Sequence, residues 1–266
     1  MSYISVKDQL NYIDVLFQFP LGQILLNKGL IDTFWTDFIM TNDERCNNDL
    51  EDFLLTRSPF TLSWRELLHN FKKNIQACLK NEMILASIPC GAMRELLELD
   101  YSQVSNFKII GIDIDTDSLS LAQKLAEEKG LHQNLSLLQQ DAWQLQYKSE
   151  IDLITSCGLN IYISDREKVL NLYRQFFKAL KPDGILIIGF LTYPPDEKMP
   201  SEWCIDHIPP EDLLLEKILY KDILDVQWRN FRTSDEFKNE LKEVGFSAVS
   251  FHYDKLHVFP VVVAKK

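Results

Sequence analysis

From the N-terminus to about Lys80 the apolar positions keep helical spacing. Trp64, Leu67, Leu68, Phe71, Ile75, Cys78 and Leu79 follow an i, i+3, i+4, i+7 rhythm, which predicts a helix with Ser63 as its N-cap. Upstream, "SVKDQLNYIDVLFQF" and "GLIDTFWTDFIM" read as two shorter helices separated by Pro20 and Gly22, and the polar stretch "TNDERCNNDLED" follows them.

Beyond Lys80 the pattern changes. "MILASI", "FKIIGIDI", "NLSLLQ", "IDLITS" and "GILIIGFL" are strand-length and apolar almost throughout. Between them come "MRELLEL", "DSLSLAQKLAEEKG", a loop with "DAWQLQ", and "DREKVLNLYRQFFKALKPDG". Strands that alternate with helices imply right-handed crossovers and a parallel sheet covered on both faces. After the helix "SDEFKNELKEVG", the runs "FSAVSFHYD" and "KLHVFPVVVAKK" are separated by only a tight polar turn, too short for a crossover, so they form a hairpin. The expected fold is a doubly wound, mostly parallel seven-stranded α/β sheet ending in an antiparallel hairpin. Residues 1–80 are a helical extension or lid, and residues 81–266 a Rossmann-like domain with an insertion at about 193–231.

The bulk composition narrows the function. Lys plus Arg number 28 against 39 Asp plus Glu, a net charge of −11, which argues against a partner with a phosphate backbone such as DNA or long RNA. Five cysteines without metal-ligand spacing suggest neither disulfides nor zinc, and they fit a reducing cytoplasm. The N-terminus resembles no secretory leader and no apolar run is long enough to span a bilayer, so a soluble protein without membrane partners is expected, as monomer or homodimer.

Ligands of doubly wound sheets bind at the carboxyl ends of the strands near the switch point. After the first strand, "SIPCGAMREL" turns into a helix with Gly91 allowing close backbone approach; the alternative is an ordinary tight turn. Asp113, ending the second strand 22 residues past Gly91, suits ribose hydroxyls, while Asp115 and Asp117 read as helix caps. After the third strand, Asp141 can accept from a purine amine. Trp143 supplies either an aromatic wall or a core residue under a loop. Gly91 and Asp113 also fit a nicotinamide-dependent oxidoreductase, although one glycine serves a pyrophosphate poorly.

The series "LASIPCGAM", "GIDID", "QDAW", "IDLITS" and "ALKPDGILIIGFL", closed by the terminal hairpin, resembles a class I S-adenosylmethionine-dependent methyltransferase over residues 83–266. Aligned on that family's first motif, Ser87 stands at its acidic position and Met93 at its second glycine, a place Met tolerates if the backbone there is helical. The resemblance implies S-adenosylmethionine as cofactor, S-adenosylhomocysteine as product and a small-molecule acceptor. It implies Ser87, Cys90 and Gly91 at the methionine part, Asp113 and Ile114 at the ribose side, and Asp141, Ala142 and Trp143 around the adenine. Ser156 and Cys157 would lie beside the sulfonium. Asn160 and Tyr162 are candidates to orient the acceptor, and His207, in the proline-rich loop after the fifth strand, is a candidate base. A non-catalytic cofactor-binding protein of the same fold is the alternative.

Overall fold

A computed structural model describes residues 3–28, 33–44, 46–195, 199–224, 226 and 228–266. Five helices come first: α1 (Val6–Leu16), α2 (Pro20–Lys28), α3 (Thr33–Thr41), α4 (Asp49–Thr56) and α5 (Pro59–Cys78). The first four residues of "GLIDTFWTDFIM" lie outside the described residues.

Two helices begin where the sequence suggested breaks. Pro20 opens α2 at a first-turn position where no intrahelical N–H is required, and Asn48 in the polar stretch caps α4 by accepting from the N–H groups of Leu50 and Glu51. The long helix α5 starts at Pro59, behind Ser58, whose Oγ accepts from the Thr61 N–H. Ser63, the expected cap, is inside the helix and donates to Asp254.

The sheet is assembled from β1 (Ile84–Ser87), β2 (Lys108–Asp113), β3 (Leu135–Gln139), β4 (Ile151–Ser156), β5 (Leu180–Gly189), β6 (Ser247–His252) and β7 (Val261–Lys265). Its order is β3-β2-β1-β4-β5-β7-β6, parallel except for β7, which runs antiparallel to β5 and β6. The order reverses between β1 and β4, the expected switch point. Successive strand residues feed opposite cores: Leu85, Ile109, Leu153 and Ile187 face α5 and α7 (Thr116–Glu128), while Ala86, Ile110, Ile154 and Ile188 face α8 (Arg166–Ala179) and α10 (Ser234–Val244). Burial on both faces explains the near-continuous apolar runs of the central strands β1, β2, β4 and β5, while the edge strand β3 is half-exposed.

"MRELLEL" forms only one helical turn, α6 (Arg94–Leu97), and "DAWQLQ" a 3-10 turn over Ala142–Gln144. The β6–β7 connection is wider than expected because β7 starts at Val261. Buried Asp254 organises the eight-residue link, accepting from the N–H groups of Leu256, Val258 and Phe259 and from Ser63 Oγ. Between β5 and α10 lie a 3-10 turn (Ile205–His207), α9 (Pro210–Lys217) and a π-helical stretch (Ile218–Ile223). Residues 196–198, 225 and 227 of the expected insertion lie outside the described residues.

Candidate cofactor and acceptor site

A cavity of about 690 Å³ opens at the carboxyl ends of the parallel strands. Its floor follows from the sheet register. Ser87 at the end of β1 is flanked by Gly111 of β2 and Thr155 of β4, and the Cys90 N–H bonds to the Ile112 carbonyl, so the first loop continues the sheet. Gly91 then turns with φ +48°, a left-handed conformation suited to glycine, and a Cβ there would meet nothing nearer than a Thr33 methyl at 3.7 Å. The loop backbone is therefore open to close approach.

Met93 is also left-handed, with φ 55°, which corrects the expectation of helical dihedrals. Its buried sulfur fills the slot over Gly111, 2.6 Å from where a Cβ of that glycine would lie. The backbone strain costs about 1–3 kcal/mol and burying the thioether side chain returns about 1.5–3 kcal/mol, so the two nearly cancel.

Asp113 is buried at the cavity wall. Its Oδ2 accepts from the Gly91 N–H at 3.0 Å and its Oδ1 from the Asp115 N–H at 3.0 Å, which fixes the carboxylate while leaving further lone pairs on each oxygen. Asp115 caps α7, as expected, through the N–H groups of Asp117 and Ser118. The exposed side chain of Ile114 borders the same opening. Across from it, Asp141 accepts from the Trp143 N–H, and the Trp143 indole donates to the Lys168 carbonyl, with Lys168 Nζ 4.8 Å from the ring centre. Trp143 thus borders the cavity while packing against the core beneath it.

Nine predicted residues line one cavity: Cys90, Gly91, Asp113, Ile114, Asp141, Ala142, Trp143, Cys157 and Tyr162. Burial pushes the Cys157 thiol up to about 12 and raises the Tyr162 phenol, which the Trp228 indole contacts. Four predicted residues are placed elsewhere. Ser156 is buried under the floor. Asn160 is behind it, donating to Tyr173 Oη and the Gly189 carbonyl. His207 is exposed on its 3-10 turn beside the Lys255 carbonyl, away from the cavity. Ser87 is buried and donates to Glu95 Oε1 at 2.6 Å.

Glu95 was missed by sequence reasoning. It lines the cavity from α6, and its Oε1 also accepts from Thr155 Oγ1 at 2.9 Å, while burial raises its pKa. The signal available was the first acid of "RELLEL", two residues past Met93 at the start of the turn. Also missed were Thr33, Thr36, Asp37 and Met40 of α3, and the inward side of α5, where Trp64, Leu68 and Phe71 line the cavity. Two contacts tie α3 to the floor: the Thr33 and Ser118 hydroxyls lie 2.5 Å apart, and Asp37 forms a bidentate ion pair with Arg94.

An open glycine turn, a backbone-held carboxylate one strand over and an aromatic ring beside a second carboxylate line one cavity, on a sheet with one antiparallel strand. These acceptors, with the open backbone at Gly91, fit S-adenosylmethionine. A family model described as a methyltransferase domain matches residues 79–245, and the chain belongs to this family of class I S-adenosylmethionine-dependent methyltransferases. The nicotinamide alternative is thereby overturned.

The chain is 36% identical to a solved structure described as a possible exported protein from Bordetella parapertussis, covering 99% of this chain and 89% of that one with a TM-score of 0.95. It shares its fold with magnesium protoporphyrin IX methyltransferase from Synechocystis PCC 6803 with bound S-adenosylhomocysteine, at 15% identity, TM-score 0.59, and coverage of 97% and 99%. YqeM of Bacillus subtilis (strain 168), a curated relative provisionally named a methyltransferase, is 23% identical over 188 residues, 70% of this chain and 65% of YqeM, so the chain spans less than two thirds of that relative. Among the described residues no helix is long and apolar enough to cross a membrane, and no group of side chains is arranged to hold a metal ion.

Proposed function

We propose that the protein methylates a small, largely apolar molecule in the cytoplasm, with residues 1–80 acting as a lid over the domain formed by residues 81–266. S-adenosylmethionine supplies a methyl group already activated on a sulfonium, so the chain's task is alignment more than activation. Asp113 accepts from the ribose hydroxyls, Asp141 and Ala142 meet the adenine edge between Ile114 and Trp143, and the Cys90–Gly91 backbone meets the methionine part. Cys157 lies beside the reacting centre.

The observation that carries the acceptor class is the far side of the cavity: Met40, Trp64, Leu68, Phe71, Ile161 and Tyr162 close it with apolar and aromatic surface. A pocket of this volume is of the size that encloses one ligand and a small acceptor and not a polymer. The carboxylates of Asp37, Glu95, Asp113 and Asp141 on its walls repel a phosphate backbone. Among the described residues no histidine lines the cavity, and the Cys157 thiol stays protonated at neutral pH. Acceptors that carry their own lone pair, such as amines or readily ionised hydroxyls and thiols, therefore suit it. Five free cysteines support a reducing compartment.

The test uses methyl-labelled S-adenosylmethionine with cell extract divided by ultrafiltration. Label in the low-molecular-weight fraction, with S-adenosylhomocysteine formed in step, is the expected result. Label only in macromolecules would refute the acceptor class, and binding without transfer would leave a cofactor-binding protein.

A further inference from the structure

The first loop takes its carboxylate from the helical turn that follows it. The strand end at Ser87 is a neutral hydroxyl, and the acid that reaches the same point comes from the following helical turn. Glu95 Oε1 accepts from Ser87 Oγ at 2.6 Å and Thr155 Oγ1 at 2.9 Å, so two adjacent strands, β1 and β4, hold one carboxylate oxygen over the switch point. The side chain is 7% exposed and lines the cavity between the Gly91 loop and Cys157.

No cation among the described residues pairs with it. The adjacent Arg94 is committed elsewhere, to Asp37 and to Glu98 Oε1 at 2.6 Å. Two neutral hydroxyls orient a carboxylate but do not neutralise it, and a buried anion without a counter-charge is costly. A site of this kind is completed by a ligand that brings a positive charge to it. S-adenosylmethionine and its product both carry an ammonium group on the amino-acid tail, at the opposite end from the ribose assigned to Asp113.

We infer that Glu95, held by Ser87 and Thr155, is the carboxylate that receives the ammonium group of the cofactor's amino-acid tail, in place of an acid on the strand. The inference rests on the cavity being the cofactor site. Ser87 and Thr155 are positioning residues: their hydroxyls aim Glu95, which makes the contact.

Calorimetry with three ligands separates the possibilities: S-adenosylhomocysteine, its desamino analogue, and 5′-methylthioadenosine, which keeps the nucleoside and sulfur but lacks the amino-acid tail. The unaltered protein should bind S-adenosylhomocysteine on the order of 10- to 100-fold more tightly than the desamino analogue. Equal affinity for the two overturns the inference without any variant. Glu95→Gln should lose a similar factor for S-adenosylhomocysteine while its affinity for 5′-methylthioadenosine is unchanged; equal loss for both ligands also overturns it. The double variant Ser87→Asp with Glu95→Gln, which moves the charge back to the strand, should regain part of the lost affinity, and a further loss counts against the inference. If the unaltered protein binds none of the three, the cofactor reading itself fails.

Discussion

The two halves of the cavity are built by different means. On the side proposed for the nucleoside, side chains at the strand ends are held by backbone N–H groups: Asp113 by Gly91 and Asp115, and Asp141 by Trp143. On the side proposed for the acceptor the wall is apolar surface from α3 and α5, and the polar contacts of α3, Thr33 with Ser118 and Asp37 with Arg94, join side chain to side chain rather than to backbone N–H groups. A polar site of fixed geometry suits one invariant ligand. An apolar wall carried on separate helices can be reshaped without disturbing the sheet, so cofactor binding and acceptor choice become separable.

The largest expected effect tests how the acceptor side is anchored. The start of α5 is held by buried Glu216, which accepts from Ser58 Oγ at 2.7 Å and the Phe60 N–H at 2.8 Å, and burial pushes its pKa up to about 8. The unfolded chain releases this proton near the ordinary glutamate value, whereas the folded chain keeps it, so the folded state binds more protons between about pH 5 and 8. Stability from this group is therefore full at low pH, falls as pH rises through that window and levels off above it. Each pKa unit is about 1.4 kcal/mol, so the loss is on the order of a few kcal/mol. Melting temperatures measured from pH 5 to 9 should fall, and Glu216→Gln should flatten the slope. An equally steep slope in the variant would show that other buried acids govern it.

Asp113→Ala is next in size and concerns the nucleoside side alone. Removing the carboxylate leaves the Gly91 and Asp115 N–H groups unpaired at the loop and should weaken S-adenosylhomocysteine by ~100-fold, or about 2–3 kcal/mol. The melting shift produced by that ligand should vanish. If the shift persists, the ribose belongs elsewhere.

The two halves also differ in how far the sequence discloses them. The central strands β1, β2, β4 and β5 were legible because both their faces are buried, and the cavity positions of Asp113 and Asp141 were legible because they stand at fixed offsets from strand ends. Glu95 was not: its role depends on a one-residue left-handed turn at Met93 that sends α6 back over Ser87. Nor, apart from Tyr162, were the acceptor-side residues. Met40, Leu68 and Phe71 lie on helices whose periodicity marks an apolar face but not which neighbour it meets. Pro20 and Asn48 carried helix-start signals that resemble breaks, and the span to β7 depends on how Asp254 folds its loop. His207 and Asn160 were near the right strand ends in sequence, but the chain leaves the sheet in a direction that local pattern does not encode.

A smaller effect should appear with Met40→Ala and Leu68→Ala. Both side chains are half-buried and border the cavity, so truncation should cost little stability and remove acceptor contact worth about 1–3 kcal/mol. The expected result is KM for the acceptor raised on the order of 10-fold with S-adenosylhomocysteine affinity unchanged. A parallel loss of cofactor affinity would mean that the halves are one site.

The smallest expected effect lies where the two halves touch. Asp37 of α3 clasps Arg94 of α6, and both side chains are partly buried, at 13% and 19% exposure. Asp37→Asn keeps the shape of the contact and removes its charge, while Arg94 retains Glu98. Because Arg94 keeps Glu98 and the amide oxygen still accepts from the guanidinium, the loss is about 1 kcal/mol, too small to disturb the fold. If α3 covers the cofactor, the loss should appear kinetically, as a several-fold faster release of S-adenosylhomocysteine in a stopped-flow chase with little change in association. The Thr33–Ser118 contact gives an independent check, because Thr33→Ala loosens the same helix without touching Arg94. If both variants accelerate release, α3 gates the polar half from the apolar one. If neither does, α3 is fixed wall, and the acceptor must reach the cavity by another side.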